Sequence, residues 1–277
     1  MDGIILIDKP KGKTSRDIVN EVSKIIGTKK IGHTGTLDPN ATGLLVLCVN
    51  EGLKLVELLT GHDKDYIAKV KLGIRTDTYD ITGKIIEENY NYELNESILK
   101  NILNSFHGEY LQEVPIYSAV KVHGKKLYEY ARGNEKVSLP KHKVNIKKIN
   151  LISFDEDSFT FFVSVSSGTY IRSLVNDISK KLGICMALEE LRREKVGNFS
   201  VKEASCLLDI KIIPIIDSLN IKKVYIDDDL YKKVSNGVKI KNIYNENMVL
   251  FIKDNIPVSI YQSSDQSMMK LYRKFNM

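Results

Sequence analysis

A continuous apolar run, GLLVLCV at residues 43–49, directly follows a polar loop rich in glycine and threonine. A short run with apolar side chains in every position is typical of a strand that is buried on both faces of a sheet. Runs at residues 3–7, 66–72, 144–154 and 159–165 predict further strands, and the last two form a hairpin across the acidic turn at 155–157. The chain is therefore expected to build a central sheet.

Three stretches with helical periodicity accompany these strands. The first follows the capping candidates Thr14 and Ser15, has Ile25 in its apolar stripe and ends at Gly27. The others span residues 97–106, with Ile98 in the stripe, and residues 171–182, capped near Thr169. A short helix is expected around residues 53–59. Strands and helices do not alternate regularly, so the pattern predicts an α+β fold with a mixed sheet.

A second, smaller domain is expected after a boundary near Pro214 and residues 217–218. Beyond this point, short strand-like runs occur at residues 224–226, 238–240, 249–252 and 258–261, separated by turn residues. We therefore expect a main domain over residues 1–218 and a small β-rich domain over residues 219–277.

The composition narrows the class of protein. The three cysteines show no metal-binding or disulfide spacing, and no cofactor fingerprint is present, so neither a metal nor a cofactor is expected. No apolar run approaches the ~18 residues that span a bilayer, and the N-terminus does not have the pattern of a signal peptide. These features predict a cytoplasmic protein without a membrane partner.

Positive charge is concentrated in one segment. Residues 119–148 contain nine basic and two acidic residues, a net charge of +7 in a chain whose total is +6. Tyr128 and Tyr130 are interleaved with these charges, while Gly124, Gly133 and Pro140 indicate a projecting segment. The segment is expected to bind a polyanion, and the alternative is an ordinary solvated basic face.

The loop GHTGTLDPNATG, residues 32–43, is the strongest candidate for chemistry. Asp38 is its only carboxylate, and its glycines allow the backbone to approach a ligand closely. The loop is neither a P-loop nor a dinucleotide-binding fingerprint. Asp38 could instead start a turn before Pro39, and His33 could be a hydrogen-bonded loop histidine.

This loop closely resembles the catalytic loop of the TruB-type tRNA pseudouridine synthases. Further resemblances occur in the family's order along the chain, which makes a chance match a poor explanation. They are DKPKG at 8–12, Tyr66 followed by LGIRTDTYD at 72–80, PIYSAVK at 115–121 with GKKLYEYAR at 124–132, SGTYIR at 167–172, and LRR at 191–193.

The resemblance implies a pseudouridine synthase fold: a central mixed, largely antiparallel sheet flanked by helices and loops, with a C-terminal PUA-like domain. It implies conversion of uridine 55 in the T loop of tRNA to pseudouridine by one aspartate, without a cofactor. The residues at about 112–148 would be a basic insertion that clamps the T arm. The implied catalytic residues are Asp38, Tyr66 and Arg172; the implied substrate-binding residues are His33, Lys9, Pro10, Tyr170, Leu191, Lys125, Lys126 and Arg132.

Each side chain also has a plainer interpretation. Without the family match, Arg172 could be a surface arginine in the first turn of a helix, while Tyr66 and Leu191 could simply be core residues. Two other functions remain open, a guide-RNA-dependent pseudouridine synthase and a non-catalytic tRNA-binding chaperone. The absence of long extra terminal segments favours a stand-alone enzyme, and we expect a monomer that needs no guide RNA.

Overall fold

The computed structural model describes residues 2–265 and 267–276 and contains two main β-sheets. The strands β1 to β19 are, in chain order, Gly3–Lys9, Ile31–His33, Thr42–Val49, Lys64–Leu72, Ile74–Thr76, Ile85–Glu88, Gly108–Glu113, Lys121–Val122, Lys125–Lys126, Lys141–Phe154, Ser158–Val165, Met186–Val196, Phe199–Ser200, Ile212–Pro214, Lys222–Tyr225, Ile240–Lys241, Met248–Lys253, Ile256–Ser263 and Met268–Lys274. The helices α1 to α7 are Ser15–Ile26, Val56–Thr60, Glu96–Asn104, Leu127–Arg132, Ile171–Leu182, Ile215–Ser218 and Asp228–Ser235, with 3₁₀ turns at Asn50–Leu55 and Val201–Glu203.

The larger sheet has the order β14-β1-β3-β12-β4-β11-β10-β7, with β2 beside β3 and β13 beside β12. Among its described pairs, β3 and β12 run parallel and the others antiparallel. The apolar run at residues 43–49 forms β3, which is buried as expected. The predicted mixed, largely antiparallel sheet is therefore confirmed.

The helices cover the larger sheet through separate apolar clusters. The α1 helix packs on β1 and β3, while α3 and α5 pack on β4, β10 and β11. The α1 helix begins with a capping box between Thr14 and Asp17 and ends at Gly27 in the left-handed conformation, φ 71°. The expected boundaries of this helix are confirmed because its local capping residues specify them.

The structure corrects three details of these helices. Ile25 is 56% exposed and Ile98 is 42% exposed, so neither lies on the buried stripe of its helix. In α3 it is Leu99 that is buried. The N-cap of α5 is Tyr170 instead of Thr169, whose hydroxyl donates a hydrogen bond to the Ser166 carbonyl.

The C-terminal sheet has the order β15-β17-β18-β19-β16. Strands expected at 224–226, 249–252 and 258–261 are confirmed within a residue or two, but the run at 238–240 is wrong: Val238 is 49% exposed and the strand begins at Ile240. Strand β19 and helix α7 were not predicted. This sheet packs on the larger one through a shared apolar cluster that includes Leu250 and Ile260.

A long excursion leaves the larger sheet between β7 and β10. Residues 114–140 carry the small β8–β9 hairpin and α4, and they form the part that lies outside the sheet. Residues 112–113 and 141–148, which were assigned to the insertion, are paired strands of the sheet. The projecting segment is therefore shorter than expected, because Lys141–Phe154 pairs with β7 and β11 despite its lysines, with two register shifts in its pairing with β11.

Within the described residues, we find no helix of the length and apolar character that crossing a bilayer would require.

Candidate active site

Asp38 and Arg172 form the centre of the site. Arg172 lies in the first turn of α5 and is 7% exposed. Its Nε is 2.9 Å from Oδ2 of Asp38, and its Nη2 donates to Oδ1 at 3.3 Å. The Asp38 side chain remains 44% exposed. A two-point contact with a buried guanidinium fixes the orientation of the carboxylate and leaves it open to a ligand.

A second carboxylate, that of Asp80, also lies beside the Arg172 guanidinium. Oδ2 of Asp80 is 3.7 Å from Nε, and the guanidinium also donates to the carbonyls of Thr78 and Tyr117 at 3.3 and 3.1 Å. Asp80 is itself fixed because Thr78 Oγ1 donates to it at 2.9 Å. The intervening Tyr79 has φ 64°, a conformation that side chains other than glycine rarely adopt. Asp80 stood within a recognised motif, but nothing in the sequence singled it out as a partner of Arg172.

The loop that carries Asp38 is anchored from below by Lys9. Lys9 is fully buried, and its Nζ donates to the carbonyls of Pro39, Pro10 and Lys13 at 3.1, 2.9 and 2.6 Å. Burial lowers the pKa of Lys9 to about 8, although the charge of Asp38 acts in the opposite direction. Lys9 therefore fixes the backbone of the turn that follows Asp38. Pro10 is exposed, and its carbonyl accepts one of the Lys9 hydrogen bonds.

Gly43 fixes the other end of this loop against β12. Its φ is 98°, and a β-carbon built on it would lie 2.3 Å from the Arg193 carbonyl oxygen. The backbones of β3 and β12 approach here as a parallel pair, with Gly43 opposite Arg193. Only glycine satisfies both the dihedral and the close approach.

Asp38 and Arg172 line a cleft of about 380 Å³, together with Tyr66, Tyr170 and Leu191. Tyr66 is 6% exposed on β4, and Leu191 projects from the neighbouring β12, where it is registered with Ala68. An aromatic ring and an aliphatic side chain thus share the cleft with the carboxylate, a combination suited to a planar base.

The excursion at 114–140 supplies the opposite wall of the cleft, including Tyr117, Ser118 and Tyr128. At its root, the buried Gln112 side chain accepts a hydrogen bond from Tyr170 N at 2.8 Å and donates to Tyr170 O at 3.1 Å. These bonds join the root of the excursion to the N-terminus of α5, which carries Arg172.

Several residues expected in the site lie outside the lining of the cleft. His33 is half-buried on β2, next to the cleft residue Thr34; its Nδ1 has no hydrogen-bond partner among the described residues. Burial, with the charges of Arg193 and Arg16, lowers the pKa of His33.

The insertion cations, which we define as Lys125, Lys126 and Arg132, lie on β9 and α4. Lys126 and Arg132 pack against the ring of Tyr128, at 5.4 and 5.2 Å from its centroid, and Tyr128 itself lines the cleft. Lys125 forms an ion pair with Glu135. The insertion cations therefore surround one wall of the cleft without entering it.

Two further cations in the cleft were not identified from the sequence. Lys64 on β4 and Arg193 on β12 are 8% and 1% exposed, and both line the cleft. The sequence around Lys64, at the start of its strand, and around Arg193, in the motif LRR, does not indicate that either side chain is buried. Both are buried because the distant strands β4 and β12 pair. Among the described residues, no cluster of His, Cys, Asp and Glu has a metal-binding arrangement.

Comparisons with known proteins identify the family of this chain. Residues 23–171 match the family described as TruB family pseudouridylate synthase (N terminal domain). A protein named tRNA pseudouridine synthase B from Clostridium tetani is 40% identical over 95% of this chain and 92% of its own length. One of the same name from Caldicellulosiruptor saccharolyticus is 46% identical over 86% of this chain and 83% of its own.

Solved structures share the fold at lower identity. A Cbf5-Nop10-Gar1 complex contains a chain that is 22% identical, with a TM-score of 0.74 over 99% of this chain and 85% of that one. A chain in an H/ACA RNP bound to a substrate RNA is 21% identical, with a TM-score of 0.72 over the same shares. Together with the matched family region and the relatives of 40–46% identity, these findings show that the chain belongs to the TruB family of pseudouridylate synthases.

Proposed function

We propose that this protein converts uridine 55 in the T loop of tRNA to pseudouridine, with Asp38 as the reacting carboxylate and without a cofactor. The observation that carries the proposal is the half-exposed Asp38, which Arg172 holds at two points in a cleft that Tyr66 and Leu191 also line. The names of the relatives, which specify tRNA, support the choice of RNA.

One carboxylate suffices for this chemistry. The reaction breaks the C1′–N1 bond, turns the uracil and joins its C5 to C1′; the proton lost from C5 is balanced by one gained at N1. A glycoside hydrolase needs a second carboxylate to help deliver or activate water, but an isomerase must keep the base and exclude water. Asp38 is the only carboxylate among the described residues that line this cleft, whereas Asp80 lines an adjoining cavity and lies against Arg172. This placement agrees with a role of Asp38 as nucleophile or base.

The groups around Asp38 have distinct roles in the proposal. Arg172 stabilises the carboxylate charge and aims it into the cleft, and Asp80 positions Arg172. Tyr66 stacks on the uracil and assists removal of the C5 proton, and Leu191 forms the apolar wall on the other side. Tyr170, which precedes Arg172, contacts the nucleotide from the N-terminus of α5.

The target must leave the RNA stack before it can reach Asp38. Flipping a base costs a few kcal/mol, which RNA contacts elsewhere on the protein must offset. In the proposal, His33 occupies the space that the flipped nucleotide vacates, and Lys9 and Pro10 support the floor of the site. The insertion cations contact phosphates of the T arm, while the shape of the loop gives specificity.

The remaining expectations extend the same proposal. Residues 1–218 form the catalytic domain and residues 219–277 a PUA-like domain that contacts RNA. The protein is proposed to act as a monomer. The relatives of 40–46% identity are named for tRNA, whereas a chain in an H/ACA RNP is 21% identical, and this difference supports action without a guide RNA. The proposed location is the cytoplasm.

The test uses the purified protein and an unmodified tRNA transcript, without guide RNA or cofactor. Pseudouridine is mapped by carbodiimide labelling and primer extension, with a transcript carrying cytidine at position 55 as control. We expect one stop at uridine 55 and none in the control. Tight binding without modification would instead favour a tRNA-folding chaperone or a guide-dependent enzyme.

A further inference from the structure

Lys64 and Arg193 lie side by side on the floor of the cleft. Lys64 is the first residue of β4, two positions before Tyr66, and Arg193 on β12 is registered directly opposite Tyr66. Residues two apart on a strand share a face, and directly opposed residues are neighbours. Both cations therefore stand on the sheet face that carries Tyr66, within about one strand repeat (~7 Å) of it.

The two side chains converge on Gly35 of the catalytic loop. A β-carbon built there would lie 3.5 Å from Nη1 of Arg193 and 3.6 Å from Cε of Lys64. Lys64 Nζ donates to the carbonyls of Thr60 and His62 at 2.9 and 2.6 Å, which leaves one of its three protons without a partner among the described residues.

Arg193, like Lys64, donates its hydrogen bonds to backbone carbonyls. Its Nε donates to the Leu44 carbonyl at 2.7 Å and its Nη2 to the Gly35 carbonyl at 3.1 Å. Among the described residues, neither Lys64 nor Arg193 forms an ion pair with a carboxylate.

This arrangement is electrostatically unfavourable without an anion. Burial, together with the charge of Arg193, lowers the pKa of Lys64 to about 8. Asp63 acts against this shift, but it is itself ion-paired with Lys147. Asp38 is engaged by Arg172 and does not contribute to the shift. Buried charges are normally paired, so an anionic group entering the cleft would relieve the repulsion.

We propose that Lys64 and Arg193 form an anion subsite that binds an RNA phosphodiester beside the flipped uridine. This inference rests on the proposed function. The insertion cations cannot bind this phosphate because they do not line the cleft. Because Tyr66 and the subsite lie on one sheet face, a nucleotide stacked on Tyr66 would bring its own or the adjacent phosphate towards the two cations. Binding of the base and binding of the phosphate would then select a nucleotide that is fully flipped.

The test measures binding to T-arm stem-loops in which one phosphate at a time is replaced by a neutral methylphosphonate. Wild type is compared with Lys64→Met and with the control Lys69→Met, which removes a lysine from the other face of the same strand. In wild type and the control, we expect one position near the target to weaken binding about tenfold, as for a lost charge-assisted hydrogen bond. In Lys64→Met, the same replacement should weaken binding clearly less than in wild type, because only Arg193 remains to bind that phosphate. The sensitive position in wild type identifies whose phosphate is bound.

Equal losses in all three proteins at every position, or no sensitive position in wild type, would overturn the proposal. If Lys64→Met does not fold, Lys64→Gln removes the charge while keeping a donor for the nearby carbonyls, and Lys64→Arg should restore the sensitivity. Conversion of the unmodified stem-loop by wild type is measured in parallel. Failure of that conversion would contradict the proposed function, whereas the binding comparison tests the subsite by itself.

Discussion

Replacing Arg172 by lysine should remove the two-point contact with Asp38 while keeping the positive charge. The guanidinium makes two contacts with Asp38 and donates to the carbonyls of Thr78 and Tyr117. A lysine ammonium is a point donor on a different stem and cannot reproduce this fork. It would retain one contact with Asp38 at most and would leave a buried carbonyl without its donor.

The magnitude follows from these contacts. One charge-assisted hydrogen bond is worth about 1.5–3 kcal/mol, and a hydrogen bond to a carbonyl about 1 kcal/mol. A loss of about 3–4 kcal/mol in the orientation of Asp38 corresponds to a rate lower by about 10²–10³-fold.

The assay is single-turnover release of tritium from tRNA labelled at C5 of uridine, with binding measured separately. We expect the rate to fall by this amount while the dissociation constant stays near the wild-type value. Thermal unfolding provides the control for stability. A folded Arg172→Lys protein with a rate within about tenfold of wild type would refute the argument that two-point contact orients Asp38.

Three further changes test other parts of the account. Gly43→Ala should lower the free energy of unfolding by several kcal/mol, as measured in urea, because its β-carbon would collide with the Arg193 carbonyl; a loss below about 1 kcal/mol would contradict this. Between pH 8 and 10.5 the unfolded chain binds more protons at Lys9 than the folded chain does. The free energy of unfolding of wild type, relative to that of Lys9→Met, should therefore rise with pH by up to about 3 kcal/mol. A difference between the two proteins that does not change with pH would exclude the lowered pKa. Neutralising the three insertion cations should reduce the slope of log affinity against log salt by about 2–3, and an unchanged slope would show that they do not contact phosphates.

Local signals accounted for much of the fold. The start and end of α1 were predicted because Thr14 and Gly27 act through their own backbone neighbours. The buried β3 was predicted because seven consecutive residues have no polar side chain to present to water. Strand β19 was missed because residues 268–274 mix methionine and tyrosine with lysine and arginine, and pairing with β18 and β16 makes them a strand.

The site was predictable where a short segment carries the pattern and unpredictable where distant segments meet. Motif order pointed to Asp38, Tyr66 and Arg172, and the structure brings these three into one cleft. The contacts from Arg172 to Asp80 and from Gln112 to Tyr170 join elements far apart in the chain, and no local spacing encodes them. The same holds for the burial of Lys64 and Arg193, which depends on the register of β4 with β12.

The central claim is that Asp38 is the single carboxylate that acts on the uridine. It is tested most directly by comparing Asp38→Asn with Asp155→Asn, a control in the exposed turn between β10 and β11, on the same unmodified tRNA under single-turnover conditions. The account predicts that Asp38→Asn binds the tRNA as wild type does but forms pseudouridine at a rate lower by about 10⁴-fold or more, while the control is unaffected. Pseudouridine formation by Asp38→Asn at a rate comparable to wild type would contradict it.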